Sequence, residues 1–280
     1  MKIGISKHYI LKYGLDDGAA RMVRDGYEYL DYSFSNTDSE IYAARDESFL
    51  TMVTSIRRTL DKAGVKVMQI HGPWQYPPKD GTDAERAERF EKMTKAMVIA
   101  RYLGAKYMAV HPLMPYGADS PEDPEGVYAI NRQYYAALAN VGKNLGVTVC
   151  LENMPFRHHP IHTTEQICAL VEDINHPYLK VCFDTGHSNL VGEVIGDSVR
   201  RIGKDLLKIL HVHDNYGNKD AHSVPYDGTV DWMDFCEALY DIGYDGVMSL
   251  EVTLPSGLES EELTEAERSL AKTAKLLAGE

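Results

Sequence analysis

The sequence predicts a single (β/α)8 barrel of the α/β class, with its active site at the C-terminal ends of the strands. Three observations carry that expectation. Short apolar runs alternate eight times with longer amphipathic stretches, the pattern of parallel β/α units. Eight units in this length come to roughly 35 residues each, close to one βα repeat of a barrel. Six of the eight runs end in a side chain able to ligate a metal. In an open, doubly wound sheet those ends would spread along a crevice, whereas a closed barrel gathers them at one mouth.

The strands are expected at Lys2–Ser6, Tyr27–Tyr32, Val65–His71, Tyr107–His111, Thr148–Glu152, Leu179–Asp184, Leu207–His213 and Val247–Glu251. Apolar residues at 3.6-residue spacing predict helices over Phe49–Ala63, Ala84–Leu103, Ile130–Leu145, Thr164–Ile174, Trp232–Ile242 and Glu261–Leu277. Gly64, Gly104, Gly146 and Gly243 stand where those helices end, as C-capping glycines do.

No linker, repeat or low-complexity tract divides the 280 residues, so one domain over 1–280 is expected. The 29 Lys and Arg against 42 Asp and Glu give a net charge of −13. That balance argues against nucleic acid as a partner, because phosphate neutralisation supplies most of such affinity. No run approaches the roughly 18 apolar residues of a membrane helix, and no leader is expected before the first strand-like run. Cys150, Cys168, Cys182 and Cys236 form no C-x-x-C pair. They are read as reduced thiols of a cytoplasmic protein.

The six strand-end residues are His71, His111, Glu152, Asp184, His213 and Glu251. Any one of them alone reads as a loop hydrogen-bonder; together they are harder to place without a cation. Three converging carboxylates repel unless protonated, paired or metal-bound. A divalent ion of the Mn, Zn, Co or Mg kind resolves that conflict and accepts mixed imidazole and carboxylate donors. Asp184-Thr-Gly-His187 adds an imidazole across a glycine turn, and Asp220-Ala-His222 follows the seventh strand within one short loop. His211, two before His213, points to the same side of its strand but sits deeper, and is expected to support a ligand rather than to be one. His158, His159 and His162 read as surface histidines. Trp74, Tyr76, Tyr116 and Phe156 fall just beyond strand ends, where aromatic faces close over a sugar or pack loops.

The set His71-Gly-Pro, His111-Pro, Leu-Glu152-Asn-Met, Phe-Asp184-Thr-Gly-His187, Val-His213-Asp-Asn, Asp220-x-His222, Asp-Gly-Thr-Val-Asp-Trp232 and Leu-Glu251 resembles the xylose-isomerase-like barrel superfamily. That group includes sugar phosphate isomerases and epimerases and the AP endonuclease family 2 type. The resemblance runs the whole chain. It implies, for ketose-processing members, one divalent metal held by Glu152, Asp184, His213 and Glu251, with His187 near the substrate oxygens. For the endonuclease IV branch it implies three zincs, with His71 and His111 beside a bridging Glu152 and a third ion on His187, Asp220 and His222.

The second-strand loop Asn36-Thr-Asp38-Ser-Glu40 is acidic where DNA would want arginine. The resemblance therefore leads to a sugar isomerase or epimerase acting on a ketose or sugar phosphate through an enediolate. Glu152 and Glu251 would be the acid-base pair, and His187, His111, His71 and Trp74 would bind substrate. Dehydration of a sugar derivative on the same site and zinc phosphodiesterase chemistry at abasic DNA are the alternatives. Arg157 and Lys219 are the cations placed to meet a substrate phosphate. A symmetric homo-oligomer, dimer or tetramer, is the expected assembly.

Overall fold

Eight parallel strands make one sheet in the order β7-β6-β5-β4-β3-β2-β1-β8. They are β1 Lys2–Ile5, β2 Tyr29–Ser33, β3 Lys66–His71, β4 Tyr107–Val110, β5 Thr148–Glu152, β6 Leu179–Asp184, β7 Leu207–His211 and β8 Val247–Leu250. A parallel bridge between Val212 and Leu250 joins the two ends. Val212 N donates to Ser249 O at 2.9 Å and Glu251 N to Val212 O at 3.0 Å, which closes the sheet into a barrel. Closure leaves every C-terminal strand end on one rim. The computed structural model describes residues 1–33, 37–118 and 123–280. Asn36, in the acidic loop, lies outside the described residues.

All eight expected strands are present. Three stop short of the residues that mattered most: His111 follows β4 by one residue, His213 follows β7 by two, and Glu251 follows β8 by one. The expected helices appear as α3 Asp46–Ala63, α4 Asp83–Leu103, α5 Pro124–Leu145, α6 Thr164–Ile174, α9 Trp232–Asp241 and α10 Ser260–Leu277. Four further helices are α1 His8–Asp25, α2 Glu40–Ala43, α7 Thr185–Val191 and α8 Ile195–Leu206. Helix α1 is interrupted at Gly14, with φ 75°, and α8 at Gly203, with φ 67°. The break at Gly14 splits the apolar period that would have announced α1.

Capping chemistry places the loops that follow. Thr82 Oγ1 accepts Glu85 N while Glu85 accepts Thr82 N, a reciprocal box that starts α4. Thr163 and Gln166 do the same for α6. Asp184 caps α7, accepting His187 N at 2.7 Å. One carboxylate oxygen of the future site is thereby tied to the backbone.

The main core lies between the strands and the helices that cover them. Inside the barrel a smaller layer joins Ala109, Cys150, Cys182 and Ile209 under the rim. All four cysteines are free thiols, with Cys150, Cys168 and Cys182 buried. Burial pushes the Cys150 and Cys182 thiols up, so they are protonated filler beneath the polar rim. No described helix is long and apolar enough to cross a membrane.

Candidate functional site

On that rim the described side chains form three main donor groups, two of which share Glu152. Within each, one donor atom per residue lies within 4.8 Å of the others: His71, His111 and Glu152; Glu152, Asp184, His211 and Glu251; His187, His213, Asp220 and His222. Cys182 reaches Glu152 and His211 from below. Glu152 belongs to two of the three main groups. Its Oε1 accepts His211 Nδ1 at 2.8 Å, and its Oε2 lies 3.1 Å from His111 Nε2 and 3.5 Å from His71 Nε2.

The central group differs from expectation in one member. His211, not His213, stands between the glutamates, with its Nδ1 2.8 Å from Glu152 and 3.1 Å from Glu251 Oε2. His213 turns instead to Asp184, its Nε2 3.0 Å from that carboxylate, and joins His187, Asp220 and His222. The physical reason is depth. His211 and His213 share a side of the chain, but β7 ends at His211, and only His211 stays inside the ring of strand ends.

Second contacts orient the imidazoles. His71 Nδ1 donates to Gly72 O at 2.8 Å, His187 Nδ1 to Asn153 O at 2.8 Å, and His222 Nδ1 to Glu251 O at 2.8 Å. In each ring the bonded nitrogen holds the proton, which leaves the Nε2 lone pair facing the cluster, as a metal-ligating histidine requires. His71 Nε2 and His111 Nε2 approach to 3.0 Å. His222 sits at φ 47°, in the left-handed region, on a loop held by Asp214. Asp214 bridges to Ser223 through the backbone and accepts Trp232 Nε1 at 2.8 Å.

A cation fits this donor set. Asp220 Oδ1, in the cluster, is out of solvent with no hydrogen-bond partner, an arrangement that is costly for a carboxylate without a ligand. Without a cation, imidazolium must balance the carboxylates. Burial pulls the His187 ring down, but Asp184 and Asp220 outweigh it and push it up to about 10. His222 rises to about 9, where Asp220 and Glu251 overcome burial. His111 goes the other way, to about 4, because burial dominates there. Burial opposes ionisation of Glu152, yet His211 and His111 hold its carboxyl well below the usual range.

A cavity of about 970 Å3 opens above the cluster. His71, His111, Glu152, His187, Asp220, His222 and Glu251 form its floor, and Trp74, Tyr76 and Phe156 its aromatic wall. Tyr76 stacks on Phe156 at 5.9 Å, and Trp74 packs edge-on against His111 at 4.6 Å. Tyr116 is not among the lining residues, nor are Arg157 and Lys219; the lysines on the wall are Lys7 and Lys12. Arg157 is spent on the Leu190 carbonyl. Of the histidines read as surface groups, His159 is buried and bonds Ile161 O and Leu113 O. Asp31 and Gln69 went unsignalled in the sequence because both lie mid-strand, below the rim.

The tight turn after Asp184 yields a prediction. A Cβ on Gly186 would stand 2.0 Å from His213 Cε1, so the buried ring must shift to admit it. Gly186→Ala is expected to cost about 1–3 kcal/mol, the usual range for overpacking. It should also swing His213 off Asp184. Thermal melting and metal titration of the variant check this; a wild-type melting temperature would refute it.

A family model described as Xylose isomerase-like TIM barrel matches residues 19–276. D-psicose 3-epimerase of Agrobacterium fabrum is 30% identical over 150 residues, covering 53% of this chain and 50% of that protein. The chain spans about half to two thirds of the length of the first curated relatives it matches. A crystal structure of D-psicose 3-epimerase in the presence of D-fructose superposes with TM-score 0.80 at 21% identity, covering all of both chains. The IOLI protein with a binding zinc atom gives TM-score 0.76 at 19% identity, over 99% of this chain and 96% of that one. At those identities the two structures speak for the fold.

Proposed function

The chain belongs to the xylose isomerase-like TIM barrel family, and from that premise we propose that it is a divalent-metal-dependent isomerase or epimerase of a small ketose. One observation carries the reading: Glu152, Asp184, His211 and Glu251 converge at the mouth, with both glutamates on the Nδ1 edge of the one imidazole. The similarity to D-psicose 3-epimerase supports the same substrate class. In this reading His211 takes the ligand place first expected of His213.

A cation held by these four residues would supply Lewis acidity toward a substrate carbonyl and its neighbouring hydroxyl. The protein's own groups move the proton. One glutamate takes the hydrogen as a proton from the carbon next to the carbonyl; the C–H electron pair becomes the C=C bond of an enediolate, and the carbonyl π pair moves to its oxygen. The other glutamate returns a proton to carbon. Glu152 and Glu251 come from β5 and from the residue after β8, so they approach the substrate from different directions, and return to the opposite face inverts the centre. His187 and His111 lie where substrate oxygens would be polarised, while Trp74 and Phe156 shield the reacting carbon from water. Incubating the metal-loaded protein with a ketose panel in D2O tests this by NMR. The expected result is deuterium at one carbon beside the carbonyl; loss of water would instead indicate a lyase.

A second reading rests on the donor groups beyond the central one. His71 and His111 with Glu152, and His187 with Asp220 and His222, supply sets for two further ions, as hydrolytic phosphoester chemistry uses. The net charge of −13 works against a polyanionic substrate. Elemental analysis separates the two. Close to one ion per chain is the expected result; close to three zincs with nicking of abasic DNA would replace the epimerase reading.

A further inference from the structure

We propose that Asp31 and Gln69 are positioning residues that set the tautomer of His211 and so make its Nδ1 the ligand atom at the centre of the site. The proposal rests on the metal-dependent reading above. Asp31, on β2, is 3% exposed, and its Oδ2 accepts from His211 Nε2 at 3.0 Å. Gln69 Nε2, on β3, donates to the same oxygen at 2.9 Å. His211 thus stands between two carboxylates, Asp31 at Nε2 and Glu152 at Nδ1.

Only one of those contacts can persist when a cation is bound. A ligand nitrogen must give up its proton. Nδ1 faces Glu152 and Glu251 at 2.8 and 3.1 Å, inside the donor group; Nε2 faces Asp31 at 3.0 Å, on the other edge of the ring. Asp31 therefore keeps the proton on Nε2 and leaves the Nδ1 lone pair aimed at the cation, in the manner of a carboxylate behind a metal-ligating histidine. Gln69 holds the carboxylate in place from the other side. Both sit one layer below the rim, out of reach of a substrate in the cavity, since neither lines it.

The amide in Asp31→Asn keeps the shape but not the preference. Its nitrogen can donate to Nε2, which would move the ring proton to Nδ1 and block ligation. The variant is expected to bind Mn or Zn about 10–100-fold more weakly, the range for losing such an outer partner. Chelator competition on the metal-free full chain reads this without any assay of turnover. A double cycle with His211→Ala separates positioning from general damage: once the ring is gone, Asp31→Asn should cause no further loss. Gln69→Leu, which leaves Asp31 in place, should weaken binding several-fold and covers the case in which Asp31→Asn does not fold. Affinities within twofold of wild type in the variants, or an undiminished loss in the His211→Ala background, would overturn the proposal while leaving the metal reading intact. A wild-type chain that binds neither metal would overturn both.

Discussion

Glu152→Gln is expected to lower carbon-bound proton exchange by about 10²–10⁴-fold, the usual weight of a positioned acid or base, with the barrel still folded. The side chain is 1% exposed and its carboxylate meets His211, His111 and His71 at once. An amide keeps the volume but carries no negative charge and cannot take a proton from carbon. Metal binding should weaken along with exchange, because Glu152 is the donor shared by two groups. Glu251→Gln, at a side chain 21% exposed and facing the cavity, should also suppress exchange with less effect on metal affinity. NMR exchange rates and chelator competition on the two variants check this. Exchange retained in both would remove the glutamate pair from the mechanism.

The barrel was legible because its evidence is periodic. Eight apolar runs and the glycines after them fix where strands and helices fall, and Gly64 and Gly104 do take φ 81° and 84° at helix ends. The strand-end residues were legible for a related reason: a carboxylate closing a run such as Val-Cys-Leu-Glu152 has no cheap apolar explanation. What failed to show was depth. Choosing between His211 and His213 requires knowing where β7 stops, and the apolar pattern of Leu207–His213 runs past that point. Asp31 and Gln69 sit mid-strand, where alternation marks an inward position without saying that a histidine 180 residues away shares it. His159 looked like a surface residue in a polar loop, yet it closes onto the Leu113 carbonyl of another loop. Such contacts depend on closure of the ring, which no local pattern encodes.

Arg89→Met is expected to be the most destabilising single change outside the rim's donor cluster. Asp80 is 1% exposed, and its Oδ2 accepts Arg89 Nη1 at 2.6 Å and Met114 N at 3.0 Å. Removing the guanidinium strands a buried carboxylate, which costs about 3–5 kcal/mol. In a chain of this size roughly 2–3 °C accompany each kcal/mol, so the melting temperature should fall by about 10 °C. Removing both charges with Asp80→Asn and Arg89→Met should recover a large part of that loss, since the uncompensated charge is then gone. The effect should also reach the site, because Arg89 Nη2 donates to His111 O at 2.8 Å and the Tyr135 hydroxyl donates to the same carbonyl. Those two donors fix the backbone that carries the His111 ring to Glu152. The double variant should therefore regain stability without regaining the exchange rate. Tyr135→Phe, which leaves the ion pair intact, should cost about 1 kcal/mol, as for one hydrogen bond. A double variant that recovered both stability and exchange would show the ion pair to be structural only.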